Sequence, residues 1–100
     1  MILNFDPQIG HEQMKRRPAL VLSPKEFNAA FGLAYAAPIT TKPRGHAFEI
    51  PLPAGLRVTG SVMVHQVKSL DWEAREARLA DKAPTEVVEM AIQIMKDIIE

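Results

Sequence analysis

Residues 10–17 bring together side chains that could act on a phosphate group. His11 and Glu12 are adjacent, three cations follow at residues 15–17, and an apolar run of strand-forming residues begins soon afterwards. An imidazole can transfer protons near neutral pH, because its unperturbed pKa lies there. The planar guanidinium of Arg17 can bind two phosphate oxygens at once. These groups suit metal-free chemistry on a phosphodiester.

Motifs that would indicate a different chemistry are incomplete or missing from the sequence. His11 and Glu12 begin an HExxH zinc motif, but Lys15 stands where the second histidine would be required. Cysteine is absent, which excludes thiolate metal sites and cysteine nucleophiles. The sequence contains no GxxxxGK[ST], GxGxxG or GxSxG segment. We therefore expect no bound metal and no cofactor.

The length and composition of the chain predict one small domain over residues 1–100. Nearly half of its 100 residues are hydrophobic, which is enough for a single core. The apolar start is interrupted by Asp6 and Pro7, which makes it too short for a signal peptide, and no later stretch could span a bilayer. We expect a cytoplasmic protein without a membrane partner.

The net charge is zero, but the charges are segregated along the chain. Residues 1–70 carry eight Lys and Arg against four Asp and Glu, whereas residues 71–100 carry four against eight. A basic face that binds a polyanion is one interpretation of this pattern, and ordinary solvated surface is the other.

Hydrophobic periodicity and turn residues predict a mainly β protein that ends in a helix. Strands are predicted at residues 2–5, 19–23, 33–39, 47–52 and 60–67, one helical turn at 24–28, a turn and a strand within 70–83, and a helix over 85–99. Pro43 and Gly45 predict a tight turn that pairs 33–39 with 47–52 as a hairpin. These elements indicate a small, bent antiparallel sheet or partly open barrel with the helix packed on it.

Several segments, taken in order, resemble the MazF/PemK family of toxin ribonucleases. They are FDPQxGHEQ, RRPALVLSP, PITT, a turn with G and FE, TGSV and HQVKSLDW. The resemblance implies an SH3-like barrel of the kind shared by MazF and CcdB, a homodimer, and cleavage of single-stranded RNA without a metal. Family members usually begin several residues earlier, so we expect the first few family residues to be absent here.

The resemblance assigns catalytic roles to three residues. Arg17 would stabilise negative charge on the phosphate, the hydroxyl of Thr40 would hydrogen-bond the scissile phosphate, and His11 would act as general acid or base. Each residue also has a plain structural interpretation. Arg17 could anchor the loop at the surface, Thr40 could cap the turn, and His11 could be a solvated loop residue.

His65 departs from the family pattern, because an acidic residue usually precedes this glutamine. The PemK branch also has an arginine where this chain has Met63. His65 therefore either replaces the missing acid or base, recognises an RNA base by stacking, or is a buried core histidine. We expect further RNA contacts from Glu12, Gln13, Lys15, Arg16, Thr41, Lys42, Arg44, Gln66 and Lys68, with Gln66 and Lys68 in the same groove as His65.

The resemblance predicts the toxin of a toxin–antitoxin pair, a sequence-specific endoribonuclease that leaves 2′,3′-cyclic phosphate and 5′-hydroxyl ends. Two alternatives stay open: a CcdB-like toxin that binds DNA gyrase, and an RNA-binding module whose catalysis has decayed. A MazE- or PemI-like antitoxin is expected to lay an acidic segment across the RNA groove. Leu70 and Trp72 are expected to add to the hydrophobic surface of the homodimer.

Overall fold

The computed structural model describes residues 1–5 and 17–100, which form seven strands and two helices. The strands are β1 (Ile2–Phe5), β2 (Arg17–Val21), β3 (Leu33–Thr40), β4 (Glu49–Pro51), β5 (Ser61–Met63), β6 (Lys68–Asp71) and β7 (Arg78–Asp81). The helices are α1 (Lys25–Phe31) and α2 (Thr85–Ile99). The predicted site residues His11, Glu12, Gln13, Lys15 and Arg16 lie outside the described residues.

All strands pair antiparallel in one sheet with the order β4-β5-β3-β2-β1-β7. β3 has more than two partners, because β6 pairs with its first half and β5 with its last two residues. The sheet bends around this shared strand and remains open. The predicted fold class, a bent antiparallel sheet with a C-terminal helix, is confirmed.

The predicted hairpin between residues 33–39 and 47–52 is wrong. β5 lies between β3 and β4 and pairs with both of them. The alternating pattern of residues 47–52 records which face of a sheet they occupy, but it carries no information about the neighbouring strand. The chain leaves β3 through a longer connection, and β4 forms its hairpin with the strand that follows it.

The strand predicted at residues 60–67 is only partly correct. β5 ends at Met63, and residues Val64–Gln66 form a single turn of 3-10 helix, closed by the Val67 N–H donating to the Val64 carbonyl at 3.2 Å. Val64 is fully buried, so the chain turns around it. A strand would place His65 and Gln66 on opposite faces of the sheet, but in this turn both side chains are exposed.

The two faces of the sheet contribute to two different hydrophobic clusters. One cluster packs against α2 through Val87 and Ala91, and its other members are Ile2, Leu20, Ala37, Ile39, Ile50, Val62 and Val64. The second cluster lies on the opposite face and consists of Phe5, Ala19, Val21, Ala34, Ala36 and Leu70. Ala34 and Ala36 of β3 belong to the second cluster, and Ala37 and Ile39 belong to the first, because side chains of a strand alternate between its two faces.

Both helices begin after a proline, as the sequence predicts. α2 has the bounds that were expected, whereas α1 continues past the single turn that was predicted. Val87 and Ala91 of α2 are buried and Ile94 and Met95 are half-buried, but Ile98 is 45% exposed. In residues 1–5 and 17–100, no helix is long and apolar enough to cross a membrane.

Leu70 and Trp72 do not form the exposed hydrophobic surface that was expected of them. Leu70 is 6% exposed and belongs to the second cluster, and the half-buried Trp72 packs against that cluster. The indole N–H of Trp72 donates to the carbonyl of Asn28, at the middle of α1, over 2.9 Å. The turn and strand predicted within residues 70–83 are present as the segment after β6 and as β7. These residues stabilise the chain's own core.

Replacing Leu20 by alanine should lower the free energy of unfolding by about 2–5 kcal/mol, because its fully buried side chain would leave a cavity between the sheet and α2. Leu79→Ala is the matched control, since Leu79 is 68% exposed, and it should change stability by less than about 0.5 kcal/mol. Urea unfolding of both variants measures the difference. Equal losses would contradict the assignment of the core.

Candidate nucleic-acid interface

The pairing of β2 with β3 brings Arg17 and Thr40 to the same end of the sheet. Arg17 is the first residue of β2 and Thr40 is the last residue of β3, and the two strands run antiparallel with Ala19 opposite Pro38. Paired residues share a face, and alternate residues of one strand do as well. Arg17 and Thr40 therefore lie on one face, which is the face opposite α2. The exposed Arg17 and the half-buried Thr40 are available at its edge.

The hydroxyl of Thr40 is held by the turn that follows it. Its Oγ1 accepts a hydrogen bond from the backbone N–H of Lys42 at 3.0 Å. This is the turn-capping arrangement that was considered from the sequence. The interaction uses an oxygen lone pair only, so the hydroxyl proton stays free to donate. Capping and a contact with a phosphate oxygen are thus compatible, and the cap fixes the direction of the side chain.

Arg17 lines a small cavity of about 90 Å³, which we call the Arg17 cavity and which also has Lys68 and Arg75 in its lining. Lys68 lies opposite Ala36 in the β3–β6 pair, and Arg75 lies in the turn after β6. The other lining residues are Phe5, Pro18, Ala19, Ala36, Pro38 and Leu70. Within the described residues the lining has three cations and no carboxylate, which favours an anion. The small alanine and proline side chains allow a ligand to approach closely.

The position of Arg75 in the lining of the Arg17 cavity was not predicted from the sequence. It lies within the charged, alanine-rich segment where acidic residues predominate, and no local pattern links it to Arg17. Only the pairing of β6 with β3, and the turn that starts at the end of β6, bring it into the cavity.

Thr40 lines a second, larger depression of about 360 Å³, the Thr40 cleft. Its lining residues are Thr40, Lys42, Arg44, His46, Glu49, Met63, His65 and Gln66. The predicted RNA contacts Lys42, Arg44 and Gln66 are therefore brought together with His65. Lys68 is not among them, because the chain turns at residues 64–66 and Lys68 lies in the Arg17 cavity. Thr41 is exposed next to Thr40 but does not line the cleft.

His46 and His65 of the Thr40 cleft form a group of three rings with the neighbouring Phe48. The rings of His46 and His65 are in edge-to-face contact with centroids 4.7 Å apart, and Phe48 lies 6.0 Å from His46 and 6.3 Å from His65. His65 is exposed, so the buried-histidine alternative is wrong. Phe48 is 42% exposed. Exposed aromatic rings beside cations are the arrangement on which unpaired RNA bases stack.

Glu49 shapes the turn that carries Arg44 and His46 into the cleft. Its carboxylate accepts the backbone N–H of Gly45 at 2.7 Å and that of Arg44 at 3.0 Å, and its Oε2 lies 3.5 Å from Nε2 of His46. The Glu49 side chain is 4% exposed. Burial raises the pKa of Glu49, but the backbone donors of Arg44 and Gly45 and the neighbouring His46 outweigh it and hold the pKa below its usual range. The carboxylate is therefore charged at neutral pH and fastens the turn.

The two histidines of the cleft differ in what their nitrogens can do. Nδ1 of His46 accepts the backbone N–H of Phe48 at 3.2 Å, and its Nε2 lies 3.5 Å from the Glu49 carboxylate. Both nitrogens of His46 thus have partners in their own turn. In the described part of the chain His65 makes ring contacts only, so its nitrogens can serve a substrate. Glu49 belongs to the FE motif of the sequence, whereas no local sequence pattern distinguishes His46.

Comparison with known proteins agrees with this geometry. Residues 1–99 match the family model described as PemK-like, MazF-like toxin of type II toxin–antitoxin system. The endoribonuclease toxin MazF of Escherichia coli (strain K12) is 43% identical over 75 residues, which cover 75% of this chain and 67% of that protein. The endoribonuclease toxin ChpB of the same strain is 40% identical over 100% of this chain and 90% of its own length.

Comparison with solved structures supports the same family. The MazE–MazF complex from Deinococcus radiodurans (Form-II) superposes with a TM-score of 0.88 at 36% identity, covering 98% of this chain and 89% of the matched chain. The sequence motifs, the open bent sheet and both comparisons converge, and the chain belongs to the PemK-like, MazF-like toxins of type II toxin–antitoxin systems.

Proposed function

We propose that this protein is the toxin of a toxin–antitoxin pair and a sequence-specific endoribonuclease that cleaves single-stranded mRNA in the cytoplasm, thereby inhibiting translation and growth. The observation that carries the proposal is the location of Arg17 and Thr40 at one end and on one face of the β2–β3 pair, between a cation-lined cavity and an aromatic cleft. The relatives MazF and ChpB are named endoribonuclease toxins, which supports the same activity.

The proposed reaction uses the ribose 2′-hydroxyl of the substrate as its nucleophile. The 2′-oxygen forms a bond to phosphorus, the bond from phosphorus to the 5′-oxygen breaks, and the products are a 2′,3′-cyclic phosphate and a 5′-hydroxyl. A base must take the 2′-proton, an acid must protonate the 5′-oxygen, and the charge that grows on the phosphate must be neutralised. Arg17 is suited to charge neutralisation, and the free hydroxyl proton of Thr40 to a hydrogen bond with a phosphate oxygen. No step requires a metal.

His65 is the described residue best suited to move a proton in this reaction. It is exposed, it shares the cleft with Thr40, and its nitrogens have no hydrogen-bond partner within the described residues. It occupies the position at which the family usually has an acidic residue. His11 is the second candidate for acid or base. Base recognition by stacking is the competing role for His65, and the neighbouring ring of Phe48 supports that role.

Substrate binding is assigned to the cations and amides around the two depressions. Lys42, Arg44 and Gln66 of the Thr40 cleft would contact RNA on one side of the reacting phosphate. Lys68 of the Arg17 cavity would contact RNA on the other side. The other RNA contacts predicted from the sequence are Thr41, Glu12, Gln13, Lys15 and Arg16.

Two partners follow from the surface of the molecule and from its relatives. A groove of about 620 Å³ lies between the start of α1, β3 and the end of α2, and its lining is mostly apolar. Tyr35 is 48% exposed and Ile99 is 73% exposed there, so a second copy of the chain would cover them. The matched structure from Deinococcus radiodurans is a complex of MazE with MazF. An acidic antitoxin segment would be attracted by the same cations that bind RNA, which makes it a direct competitor.

Arg17→Ala should reduce RNA cleavage by a factor on the order of hundreds, because it removes one group that stabilises transition-state charge. The fold should survive, since Arg17 is exposed. Thr40→Ala should lower the rate more weakly. The measurement is cleavage of an RNA pool in the presence of EDTA, with the fragment ends identified as cyclic phosphate and 5′-hydroxyl.

Arg78→Ala is the matched control, because Arg78 is an exposed arginine that lies opposite Asn4 on the other face of the sheet. It should cleave like the unmodified protein. Normal cleavage by a folded Arg17→Ala variant would remove Arg17 from the mechanism. If the unmodified protein cuts no RNA, the gyrase-binding and decayed-module alternatives gain support.

The cleavage rate should fall on both sides of neutral pH if a histidine transfers a proton, and His65→Asn should flatten one limb of the profile. Asparagine keeps a polar group of similar size but cannot titrate. His11→Asn is measured in parallel and identifies which of the two histidines is responsible. Profiles that stay unchanged in both variants would assign both residues to binding or packing.

The protein should be a dimer at micromolar concentration, and Ile99→Glu should make it monomeric by placing a charge in the apolar groove. Leu79→Glu is the control, because Leu79 is 68% exposed and is not part of that groove. Light scattering of the three proteins gives the mass directly. A monomeric unmodified protein would contradict the proposed homodimer.

A further inference from the structure

Gly60 lies directly behind Thr40 in the fold. It immediately precedes β5, its φ is +127°, and its carbonyl accepts the backbone N–H of Leu52 at 2.9 Å. A Cβ atom added at Gly60 would lie 2.9 Å from the carbonyl carbon of Thr40 and closer still to the carbonyl oxygen. It would also lie 3.3 Å from Cγ2 of Ile39. The atoms in the way are mostly backbone atoms, which cannot rotate aside as a side-chain tip can.

A clash of an added Cβ atom with Thr40 would be harmful because Thr40 has little freedom to move. Its backbone is paired with Ser61, the residue that follows Gly60, and Ser61 is 4% exposed. Its hydroxyl caps the turn through the N–H of Lys42. A displaced Thr40 carbonyl would therefore change the direction of the hydroxyl as well as the start of the connection that carries Lys42 and Arg44.

We infer that Gly60 is a positioning residue for Thr40: its missing side chain lets β5 close against the end of β3 and so sets the Thr40 hydroxyl relative to Arg17. This inference rests on the proposed function, in which the hydroxyl contacts the scissile phosphate. Gly55 shows what distinguishes Gly60. It has φ +96°, but a Cβ atom there would meet nothing within 4 Å. Gly55 is thus constrained by its conformation alone, whereas Gly60 is constrained by its conformation and by contact with Thr40.

The test compares Gly60→Ala with the matched control Gly55→Ala, which introduces a side chain at positive φ without the contact. Gly60→Ala should lower kcat by a factor on the order of 10 to 100, as small displacements of a reacting group do, with little change in KM. The kcat of Gly55→Ala should stay within about twofold of that of the unmodified protein. When Thr40 is already alanine, adding Gly60→Ala should lower kcat by less than about twofold further.

A second readout needs no RNA. The amide resonance of Lys42 reports its hydrogen bond to the Thr40 hydroxyl, and it should shift in Gly60→Ala but not in Gly55→Ala. If the Lys42 resonance shifts in Gly60→Ala but the unmodified protein cleaves no RNA, the contact between position 60 and Thr40 is supported and the proposed function fails. Normal cleavage by a folded Gly60→Ala variant would overturn the inference. An equal loss in the presence and absence of the Thr40 hydroxyl would overturn it too.

If Gly60→Ala does not fold, D-alanine at position 60 separates the two constraints. A D-residue suits positive φ and does not place its methyl group at the L-Cβ position. If the D-alanine protein folds and is active while the L-alanine protein does not fold, the result would support a clash between the L-Cβ atom and the Thr40 carbonyl. A D-alanine protein that is unfolded or inactive would overturn the inference, because any substituent would then be harmful.

Discussion

The structure depends on β3, the strand that contributes to both hydrophobic clusters and whose two ends have different partners. Three of its residues, Ala34, Ala36 and Ala37, are alanines with at most 1% exposure. Small side chains let neighbouring layers approach from both sides, and the alternation of the strand then sends successive residues to different clusters. Because β2, β5 and β6 all pair with β3, an error in its register would displace every element that carries a site residue.

This arrangement separates stability from chemistry. The face towards α2 holds the larger apolar cluster, and the opposite face presents small residues bordered by cations. A zero net charge is therefore compatible with a polyanion substrate, since what matters is where the cations lie and not their total. One depression contains Arg17, the first residue of β2, and the other contains Thr40, the last residue of β3. Under the proposed function, one supplies charge to the phosphate and the other supplies the rings and amides that an unpaired base requires.

Local patterns predicted the elements well, and long-range pairing accounts for most of the rest. The spacing behind Pro84 predicted α2 with its observed bounds, because helix periodicity and the residue that opens a helix are local properties. The predicted partner of β4 was wrong, because the neighbour of a strand depends on the packing of the whole sheet and not on the local sequence. The residues of the candidate site divide in the same way, into those predicted from local patterns and those placed by long-range pairing. Arg17, Thr40 and His65 were identified from residue types and the family resemblance, whereas Arg75 and His46 reach the site only through pairing and turns.

The pairing of β1 with β7 also makes completion of the sheet a late step in folding. Ile2 lies opposite Asp81, and the core behind β1 is completed by Val87 and Ala91 of α2. Contacts between the two ends of a chain form late, because the intervening segment must first be ordered. A nascent polypeptide therefore cannot complete this sheet and its core until β7 and α2 have left the ribosome. Under the proposed function, RNA cleavage would depend on this late pairing and not only on the two strands that carry Arg17 and Thr40.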